Sequence, residues 1–503
     1  MAPDPEFTCH FLEVQGRLVH YARAGAGPAV AMLHGSPQSH RALLPLARRL
    51  AAGFTVFAFD TPGYGASDPL PDGSGIGAFG DALATALRAL GLGPVPVYGT
   101  HTGASIALEA ANRHPDIVSR AVLDGFALFT PAERDDLLSH HLPPLQTLWD
   151  GSHMAALWAR VRDQGVFFPW YRHTDAARRP GDPGTTATQH QAVLDLLHAG
   201  ASYAAAYGAS IAHDHAALCV APDRVRLFCR KTDVLIAHLQ RLPPGFPPGH
   251  ARAIEPHDDE AIIAALAEAP SCTAPPPQQP ARRRYAGGLH LRTLGHGPRL
   301  VLLHDLPGSS HTDLALATAL AATHEVVAPD LPGYGLSPPM PGQDEPDLVA
   351  HLVAAAVGRA DAVVGVGVGA LLAPLVARHL GTNRVALAAP PSGVSPDAYD
   401  VDVTPRWDGS HLLAAWFRQH DALLFDPWFD RRAASAIPVG TPDLAALQDR
   451  VTAMLEAQGP ALAPYLLRLD PPTTARRFAA GDAAGIAAWL HPPHTQRTAA
   501  PCA

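Results

Sequence analysis

The fold of this chain is decided by the stretch Val95-Pro96-Val97-Tyr98-Gly99-Thr100-His101-Thr102-Gly103-Ala104. Its β-branched and aromatic residues indicate a short strand, and a helical pattern follows directly at 105–112. A glycine two residues before and two residues after His101 lets strand and helix pass close together, which leaves the central side chain exposed on a sharp turn. The central residue is His101, so the function of the chain depends on what this imidazole does.

Strands and helices alternate on both sides of this turn. A hairpin is predicted around Gln15-Gly16, a helix at 78–92, and further strands at 30–37, 54–60, 118–124, 224–229 and 251–257. This alternation predicts an α/β fold with a doubly wound, mostly parallel sheet. Between 131 and 217 the pattern changes to helices rich in Leu, Ala, His and Trp, which indicates an inserted helical cap.

The length and composition indicate a two-domain protein that acts on a small molecule. The 503 residues exceed what one hydrophobic core usually supports. A formal charge of -9 without basic runs argues against nucleic acid or an anionic membrane as partner. The five cysteines are scattered without C-x-x-C spacing, and the N-terminus lacks the apolar core of a signal peptide. No apolar run reaches about 20 residues, so a cytoplasmic protein without a membrane span is expected.

The chain repeats itself after a Pro-rich linker at 270–284. Residues 301–307 repeat the pattern of 31–37, residues 330–335 repeat 60–65, and the Trp-Asp-Gly-Ser-His segment of 149–153 recurs at 407–411. The repeat predicts one domain at 1–269, with its cap at about 131–217, and a second at 285–503, with its cap from about 390. Two such copies are expected to pack together, whereas the oligomeric state is not predicted.

The repeat also provides an internal control. Features present in both copies are expected to serve the fold, while features present in one copy are candidates for chemistry. The second copy has Gly367 at the centre of its turn, where the first has His101. Its tail, 467–493, has no evident strand ending in Asp and none ending in His. The second copy is therefore expected to be truncated, degenerate and catalytically inactive.

Taken in order, these motifs resemble the α/β-hydrolase superfamily. The motifs are His34-Gly35-Ser36-Pro37, the turn at 60–65, the Gly-x-His-x-Gly turn, the cap, and then Asp233 and His257. The resemblance covers 10–268 well and 285 to about 430 in a degraded form. It implies two tandem domains of this fold, and it identifies the opening stretch as the family's nucleophile elbow.

The resemblance also assigns roles to single residues. His101 occupies the nucleophile position, Asp233 the position of the acid and His257 that of the general base. Asp124, at the end of the strand that follows the elbow helix, is an alternative acid. Since the family uses Ser at the elbow, His101 is the departure from its pattern.

Three interpretations of His101 remain open. His101 could be the nucleophile, because neutral imidazole is one and an acyl-imidazole hydrolyses readily. Alternatively, His257 and Asp233 could act as general base and orienting acid without a covalent nucleophile, in a lyase, an isomerase or a cofactor-free oxygenase. In both cases the family's oxyanion hole maps to the backbone N–H groups of Ser36 and Thr102. In the third interpretation the first copy only binds a ligand or a partner.

A metal site formed by His34, His101, Asp233 and His257 is a further option, since zinc accepts such ligands. His34 recurs as His304 in the second copy, which indicates a structural role, and no His-x-x-x-His spacing supports a preformed site. No metal and no cofactor are therefore expected.

The aromatic residues of the cap are candidates for substrate binding. Those predicted to line the pocket are Phe126, Trp149, Trp158, Phe168 and Trp170. Aromatic residues recur in the second copy, which favours a packing role for some of them. The leading hypothesis is an enzyme that acts on a small, mainly apolar ester, thioester or related carbonyl compound through His101, Asp233 and His257. The contrasting hypothesis is a non-catalytic binding or scaffold protein.

Overall fold

The computed structural model of the protein describes residues 7–276, 282–391, 394, 396, 401–459, 461–469 and 475–490. The chain divides into two compact units, Met1–Pro280 with Pro405–Leu413 and Ala281–Thr404 with Ala414–Ala503. Residues 277–281 of the linker predicted at 270–284 lie outside the described part of the chain.

The first unit contains an eight-stranded sheet in the order β1-β2-β4-β3-β5-β6-β7-β8. Its strands are β1 (Thr8–Val14), β2 (Arg17–Ala24), β3 (Ala29–Leu33), β4 (Thr55–Phe59), β5 (Val95–Thr100), β6 (Val118–Asp124), β7 (Val225–Arg230) and β8 (Ala251–Ile254). The predicted hairpin is formed by β1 and β2, and its turn residues Gln15 and Gly16 have φ angles of 52° and 76°. β2 is antiparallel to β4, whereas β3 to β8 are parallel. The predicted doubly wound, mostly parallel sheet is confirmed.

The helices of the first unit follow the periodicity of their apolar residues. They are α1 (Leu44–Leu50), α2 (Ile76–Ala89), α3 (Thr102–Arg113), α4 (Pro131–His140), α5 (Ser152–Val166), α6 (Thr186–Ala199), α7 (Ala205–Ile211) and α8 (Glu260–Ala267). In α2, for example, Ile76, Phe79, Leu83 and Leu87 recur every three to four residues and are buried together. Helices α4 to α7 lie in the chain between β6 and β7, where the sequence pattern indicates an inserted cap.

Strand β5 and helix α3 lie at the centre of the core of the first unit. Val95 and Val97 of β5 and Ile106 and Leu108 of α3 are at most 1% exposed. Burial of each such side chain contributes about 1.5–3 kcal/mol. The turn between β5 and α3 is therefore held by two rigid elements, which fixes the direction of the side chain at its centre.

The second unit contains a seven-stranded sheet in the order β15-β14-β13-β11-β12-β10-β9. Its strands are β9 (Arg283–Ala286), β10 (Leu289–Leu294), β11 (Arg299–Leu303), β12 (Glu325–Pro329), β13 (Ala362–Val366), β14 (Val385–Ala388) and β15 (Arg476–Phe478). From β9 to β15 this order matches that of β1 to β7, so the repeat seen in the sequence is a repeat of the fold.

The helices of the second unit are fewer and shorter in the part of the chain that the structure describes. They are α9 (Leu314–Leu320), α10 (Pro346–Val357) and α11 (Gly369–Leu380), followed by Leu444–Glu456, Ala463–Leu466 and Ala483–Leu490. The helix Ser410–Asp421 belongs to the second unit only from Ala414 onward. Across both units, none of the described helices combines the length and the apolar character that crossing a bilayer requires.

The tail at 467–493, where no strand ending in Asp was evident, does contain a short strand, which ends at Phe478. Strand β15 lies in this segment, pairs in parallel with β14, and is followed by Asp482. The sequence did not indicate it because β15 has three residues, of which two are arginines. The Oδ1 atom of Asp482 accepts a hydrogen bond of 2.8 Å from the N–H of Gly485, so this acid caps the following helix. The expected lack of a later strand ending in His concerns residues from 491 onward, which lie outside the described part.

The Trp-Asp-Gly-Ser-His segments are turns of the same geometry. Gly151 and Gly409 have φ angles of 74° and 77°, which favour glycine. In each segment the Asp side chain accepts a hydrogen bond from the N–H of the Ser two residues later, at 3.0 Å in 149–153 and 3.1 Å in 407–411. The segment begins a helix in both places, which fits the structural role inferred from its repetition.

The close contact between elbow and sheet can be tested at Gly103. A Cβ at this residue would lie 2.5 Å from the carbonyl oxygen of Leu33, so Gly103→Ala has to displace β3 or α3. We expect this variant to lose about 3 kcal/mol of unfolding free energy in a urea denaturation of the full chain. Gly53→Ala, where a Cβ meets no atom within 4 Å, is the control and should change it by less than about 0.5 kcal/mol. Equal losses in both variants would contradict the predicted need for glycine at the elbow.

Candidate active site

His101 occupies the centre of the turn between β5 and α3. Its φ and ψ angles are 49° and -113°, a strained backbone conformation for a residue other than glycine. The N–H of His101 donates a hydrogen bond of 3.0 Å to the carbonyl oxygen of Asp124 at the end of β6. The imidazole projects away from the sheet, and 44% of the side chain is exposed. The turn therefore presents a partly accessible ring on a fixed backbone.

The His101 ring is paired with Asp233. Its Nε2 atom lies 2.7 Å from Oδ2 of Asp233, which follows β7. The other carboxylate oxygen, Oδ1, accepts a hydrogen bond of 2.8 Å from the N–H of Leu235. Both carboxylate oxygens are thus engaged, and the bond to Nε2 holds the ring in one orientation. In the neutral imidazole, Nε2–H donates to Asp233, which places the lone pair on Nδ1.

The pairing shifts the pKa values of both groups. Enclosure by the protein disfavours the imidazolium, but the charge and hydrogen bond of Asp233 outweigh this and raise the pKa of His101 above its ordinary value of 6.5. Burial also disfavours the ionised form of Asp233, but the charge and hydrogen bond of His101 lower its pKa to about 2. Asp233 is therefore a carboxylate at neutral pH, and His101 is a stronger base than free imidazole.

His257 is not part of this pair, contrary to the arrangement that the resemblance implies. It lies on the turn that follows β8, its side chain is exposed, and it makes no hydrogen bond to His101 or Asp233. The elbow brings the ring of His101 to Oδ2 of Asp233, whereas His257 lies on the exposed turn after β8. Of the three residues predicted to form a triad, the structure brings His101 and Asp233 together and leaves His257 apart from them.

Asp124, the alternative acid, has other partners. Its Oδ2 atom accepts hydrogen bonds from the Tyr98 hydroxyl at 2.9 Å and from Nε of Arg230 at 3.1 Å. Asp124 is buried at the end of β6, where its carboxylate lies between these two side chains. Asp124 therefore supports the sheet behind the elbow, and it contacts His101 through its backbone rather than through its side chain.

His34 has a structural role in both copies. Its Nε2 atom accepts a hydrogen bond of 2.9 Å from the N–H of Thr61, and Nδ1 lies 3.1 Å from the carbonyl oxygen of Gly35. His304 makes the same two contacts, with the N–H of Leu331 and the carbonyl oxygen of Asp305. Both nitrogens of His34 are thus used within the fold, and His34 does not join His101 and Asp233 as a metal ligand.

The second unit shows where two backbone N–H groups converge beside the elbow. The N–H groups of Leu306 and Val368 both donate to Oδ1 of Asp305, each at 2.8 Å. In the first unit the corresponding groups are the N–H groups of Ser36 and Thr102, and neither has an acceptor among the described residues. These are the two groups predicted to form the oxyanion hole. In the second unit the carboxylate of Asp305 occupies the position that corresponds to this oxyanion hole.

Gly35 and Gly367 explain why the two copies differ. Gly35 corresponds to Asp305, and a Cβ at Gly35 would lie 3.2 Å from Cβ of His101. Gly367 corresponds to His101, and a Cβ at Gly367 would lie 2.0 Å from Oδ1 of Asp305. A side chain at 35 would therefore crowd the elbow imidazole in the first unit, and a side chain at 367 would clash with the loop carboxylate in the second.

A pocket opens in front of His101. The residues that line it are Ser36, His101, Thr102, Ala127, Phe129, Phe168, Tyr207, Ser210, Ile211, Val234 and Leu235. Most of the wall is apolar, and the hydroxyl groups of Tyr207 and Ser210 belong to the cap. The Tyr207 hydroxyl lies 2.8 Å from Nε2 of His141, which fixes its position.

Of the five aromatic residues predicted to line the pocket, Phe168 does so. Phe126 and Trp158 are each 3% exposed and are packing residues, and Trp170 donates from Nε1 to the carbonyl oxygen of His141 at 3.1 Å. Trp149 also lies outside the pocket lining. A helical pattern indicates which residues are apolar, but the side of the cap that faces the site depends on how its helices pack.

Sequence reasoning missed the lining residues Tyr207, Ser210, Ile211, Val234 and Leu235. Val234 and Leu235 follow Asp233 directly, so their position after the predicted acid was a usable signal. Tyr207, Ser210 and Ile211 belong to α7, and no sequence signal distinguishes this helix from the other cap helices.

Comparison with known families supports the assignment of the fold. Residues 28–152 match a family described as alpha/beta hydrolase fold, and residues 300–501 match a family described as alpha/beta hydrolase family. The two matches fall on different copies of the repeat.

Several hydrolases are similar to parts of this chain. A 2-(acetamidomethylene)succinate hydrolase of Mesorhizobium japonicum is 32% identical over 114 residues, which is 23% of this chain and 41% of that protein. The solved structure of E-2-(acetamidomethylene)succinate hydrolase aligns with 52% of this chain and 98% of its own, with 20% identity and a TM-score of 0.35. An epoxide hydrolase from an endophytic Streptomyces aligns with 53% of this chain and 96% of its own, with 18% identity and a TM-score of 0.41.

The pairing of His101 with Asp233 can be tested by nuclear magnetic resonance. We expect the His101 imidazole, assigned by its absence from His101→Ala, to titrate with a pKa above 6.5, because the carboxylate favours the imidazolium. In Asp233→Asn this charge is removed, so the pKa of His101 should fall. His257→Ala is the control and should leave it unchanged. If His257→Ala moved the pKa as far as Asp233→Asn, His257 would belong to the site.

Proposed function

Because the chain is a tandem arrangement of two α/β-hydrolase domains, we propose that its first domain hydrolyses a small, mainly apolar ester, thioester or related carbonyl compound. The observation that carries this proposal is the pairing of Nε2 of His101 with Oδ2 of Asp233 at 2.7 Å. Beside this pair lie the backbone N–H groups of Ser36 and Thr102, which have no acceptor among the described residues. A base and an oxyanion hole next to each other are the two parts that acyl hydrolysis requires.

In the proposed reaction His101 is the general base. Nδ1 takes a proton from a water molecule while the water oxygen attacks the carbonyl carbon of the substrate. The N–H groups of Ser36 and Thr102 stabilise the negative charge that develops on the carbonyl oxygen. Asp233 stays ionised and stabilises the imidazolium. When the tetrahedral intermediate collapses, the leaving alkoxide or thiolate takes the proton from Nδ1, which yields a carboxylic acid and an alcohol or thiol.

Water activation fits the orientation of the ring better than covalent catalysis does. Nε2 is bonded to Asp233, so Nδ1 is the nitrogen left for chemistry. Nδ1 is adjacent to the ring carbon that carries Cβ, and a Cβ at Gly35 would lie 3.5 Å from it, so the loop backbone is close. A proton transfer through a small water molecule tolerates this crowding more readily than an acyl–nitrogen bond does.

In the second domain the position beside the elbow is filled by a carboxylate, and this contrast favours catalysis over ligand binding in the first domain. Where the imidazole is absent, at Gly367, the carboxylate of Asp305 occupies the oxyanion position. The first domain keeps Gly35 at the corresponding place, and with it both the imidazole and an accessible pair of N–H groups. We infer that hydrolysis takes place in the first domain alone. One relative is named as a hydrolase, which supports the same reaction class.

A panel of activated esters and thioesters tests the proposal with the full-length protein. We expect His101→Gln and Asp233→Asn to lower kcat/KM by about 10²- to 10⁴-fold, because the base or its orienting acid is lost. Gly35→Asp should also inactivate the enzyme, since its carboxylate would take the two N–H groups that Asp305 takes in the second domain. Asp305→Gly is the matched control and should leave the rate unchanged.

Two results would overturn this proposal. Turnover that survives in both His101→Gln and Asp233→Asn would exclude the pair as the catalytic machinery. An acyl adduct on His101, detected by intact mass after quenching during turnover, would replace water activation by nucleophilic catalysis.

The pH dependence of the rate gives an independent test. Because Nδ1 acts as a base, kcat/KM should rise with pH through the pKa of His101, which Asp233 holds above 6.5. In Asp233→Asn the pKa falls, so the rising limb of the residual activity should move to lower pH. If the rising limb of the pH–rate profile lay at the same pH in Asp233→Asn as in the unmodified protein, Asp233 would not be the group that raises the pKa of the catalytic base.

A further inference from the structure

Tyr207 of α7 lines the pocket in front of His101, among side chains that are mostly apolar. Its hydroxyl oxygen lies 2.8 Å from Nε2 of His141. His141 is 1% exposed and is not part of the pocket lining, and its ring packs edge to face against the lining residues Tyr207 and Phe168. The direction of the hydrogen bond between His141 and Tyr207 decides whether the hydroxyl can donate to a bound substrate.

The protonation state of His141 determines this direction. Burial, together with the positive charge of Arg160, lowers the pKa of His141 to about 4, so its imidazole is uncharged at neutral pH and carries one N–H. Nδ1 of His141 is buried and has no hydrogen-bond partner among the described residues. A hydrogen on Nδ1 would be a buried donor without an acceptor, which folded proteins avoid more strictly than an unfilled lone pair. The hydrogen therefore belongs on Nε2.

With this tautomer, Nε2–H of His141 donates to the hydroxyl oxygen of Tyr207. A phenolic hydroxyl both accepts and donates, and the hydrogen of the Tyr207 hydroxyl then has no acceptor among the described residues. Tyr171 of the same cap differs, because its hydroxyl donates to Oδ2 of Asp136 at 2.6 Å. The Tyr207 hydroxyl is thus held in place by His141 and keeps its own hydrogen for a ligand in the pocket.

A buried positive charge lies beside His141. Arg160 of α5 is 6% exposed, and its guanidinium stacks on the rings of Trp170 and Tyr203, at 5.3 and 5.0 Å from their centroids. Its hydrogen bonds go to uncharged oxygens, the Tyr203 hydroxyl at 3.4 Å and the carbonyl of His141 at 3.5 Å, and its Nε atom has no partner among the described residues. A buried cation whose charge is not balanced by a carboxylate favours an anion nearby.

We propose that the Tyr207 hydroxyl donates a hydrogen bond to a carboxylate of the substrate, so that the first domain selects carbonyl compounds that carry a carboxylate in addition to the bond that is cleaved. This inference rests on the hydrolysis proposed above and names its substrate class. The carboxylate accepts the hydrogen that Tyr207 has available, and the buried charge of Arg160 offsets part of the cost of taking an anion out of water. The apolar wall contacts the carbon chain between the carboxylate and the scissile carbonyl.

Unreactive analogues test this proposal without turnover. In a series of chain lengths, a ketone that ends in a carboxylate is compared with a ketone of the same length that ends in a methyl group, by calorimetric titration of the full-length protein. We expect the carboxylate-ended ketone to bind more tightly, and Tyr207→Phe to weaken its binding about 10- to 100-fold, as the loss of a hydrogen bond to a charged group does. Tyr171→Phe removes a hydroxyl elsewhere in the cap and is the control, which should keep the affinity of the unmodified protein.

Turnover gives a second measurement, which separates this inference from the proposed hydrolysis. Thioesters with the same two ends are compared by kcat/KM. The ratio of the carboxylate-ended to the methyl-ended thioester should fall about 10- to 100-fold in Tyr207→Phe and stay constant in Tyr171→Phe. If neither thioester is hydrolysed while the ketones bind as expected, the hydrolysis proposal fails and the carboxylate site stands.

The tautomer of His141 is a third measurement and needs only the unmodified protein. Nitrogen chemical shifts of the His141 ring, assigned by their absence from His141→Gln, should place the hydrogen on Nε2. Circular dichroism establishes that each variant is folded; should Tyr207→Phe not fold, the tautomer and the two ketones decide with the unmodified protein. A hydrogen on Nδ1, an equal loss of affinity for both ketones in folded Tyr207→Phe, or a carboxylate-ended ketone that binds no more tightly than the methyl-ended one would overturn the proposal.

Discussion

In each domain the loop after the third strand lies so close to the elbow that side chains on the two compete for the same space, and this steric constraint shapes both sites. In the first domain Gly35 leaves that room to the imidazole of His101. In the second, Gly367 leaves it to the carboxylate of Asp305, which binds the two N–H groups beside the elbow. The same backbone thus forms an accessible site in one copy and a filled site in the other.

The position of His101 on the elbow also determines its electrostatics. A ring attached there reaches the carboxylate of Asp233 directly, at 2.7 Å. The other oxygen of Asp233 accepts from the N–H of Leu235, so each oxygen of the acid has a partner within the site. His257 lies exposed on the turn after β8, and the elbow imidazole takes the place beside the acid. The resulting pair has a nitrogen available for proton transfer beside two N–H donors.

A second buried carboxylate is shared by the two domains, and the residues around it have diverged in the same manner. Asp60 and Asp330 each bind an imidazole and the N–H of the loop before the first helix. Cys9 and His40 of the first domain correspond in position to Arg283 and Ser310 of the second. Duplication preserved the groups that hold the backbone and left the neighbouring side chains free to take up different charges.

The sequence by itself determined the parallel sheet, the duplication and the elbow, and it singled out His101 and Asp233 as candidate site residues. Local periodicity and glycine spacing record these features, because strand, helix and turn conformations depend on neighbouring residues. Only the tertiary structure decided that His101 contacts Asp233 while His257 does not, that Asp305 fills the second site, and that α7 rather than Trp158 lines the pocket. These outcomes depend on distances of a few ångströms between residues up to 132 positions apart, and no local pattern encodes such distances.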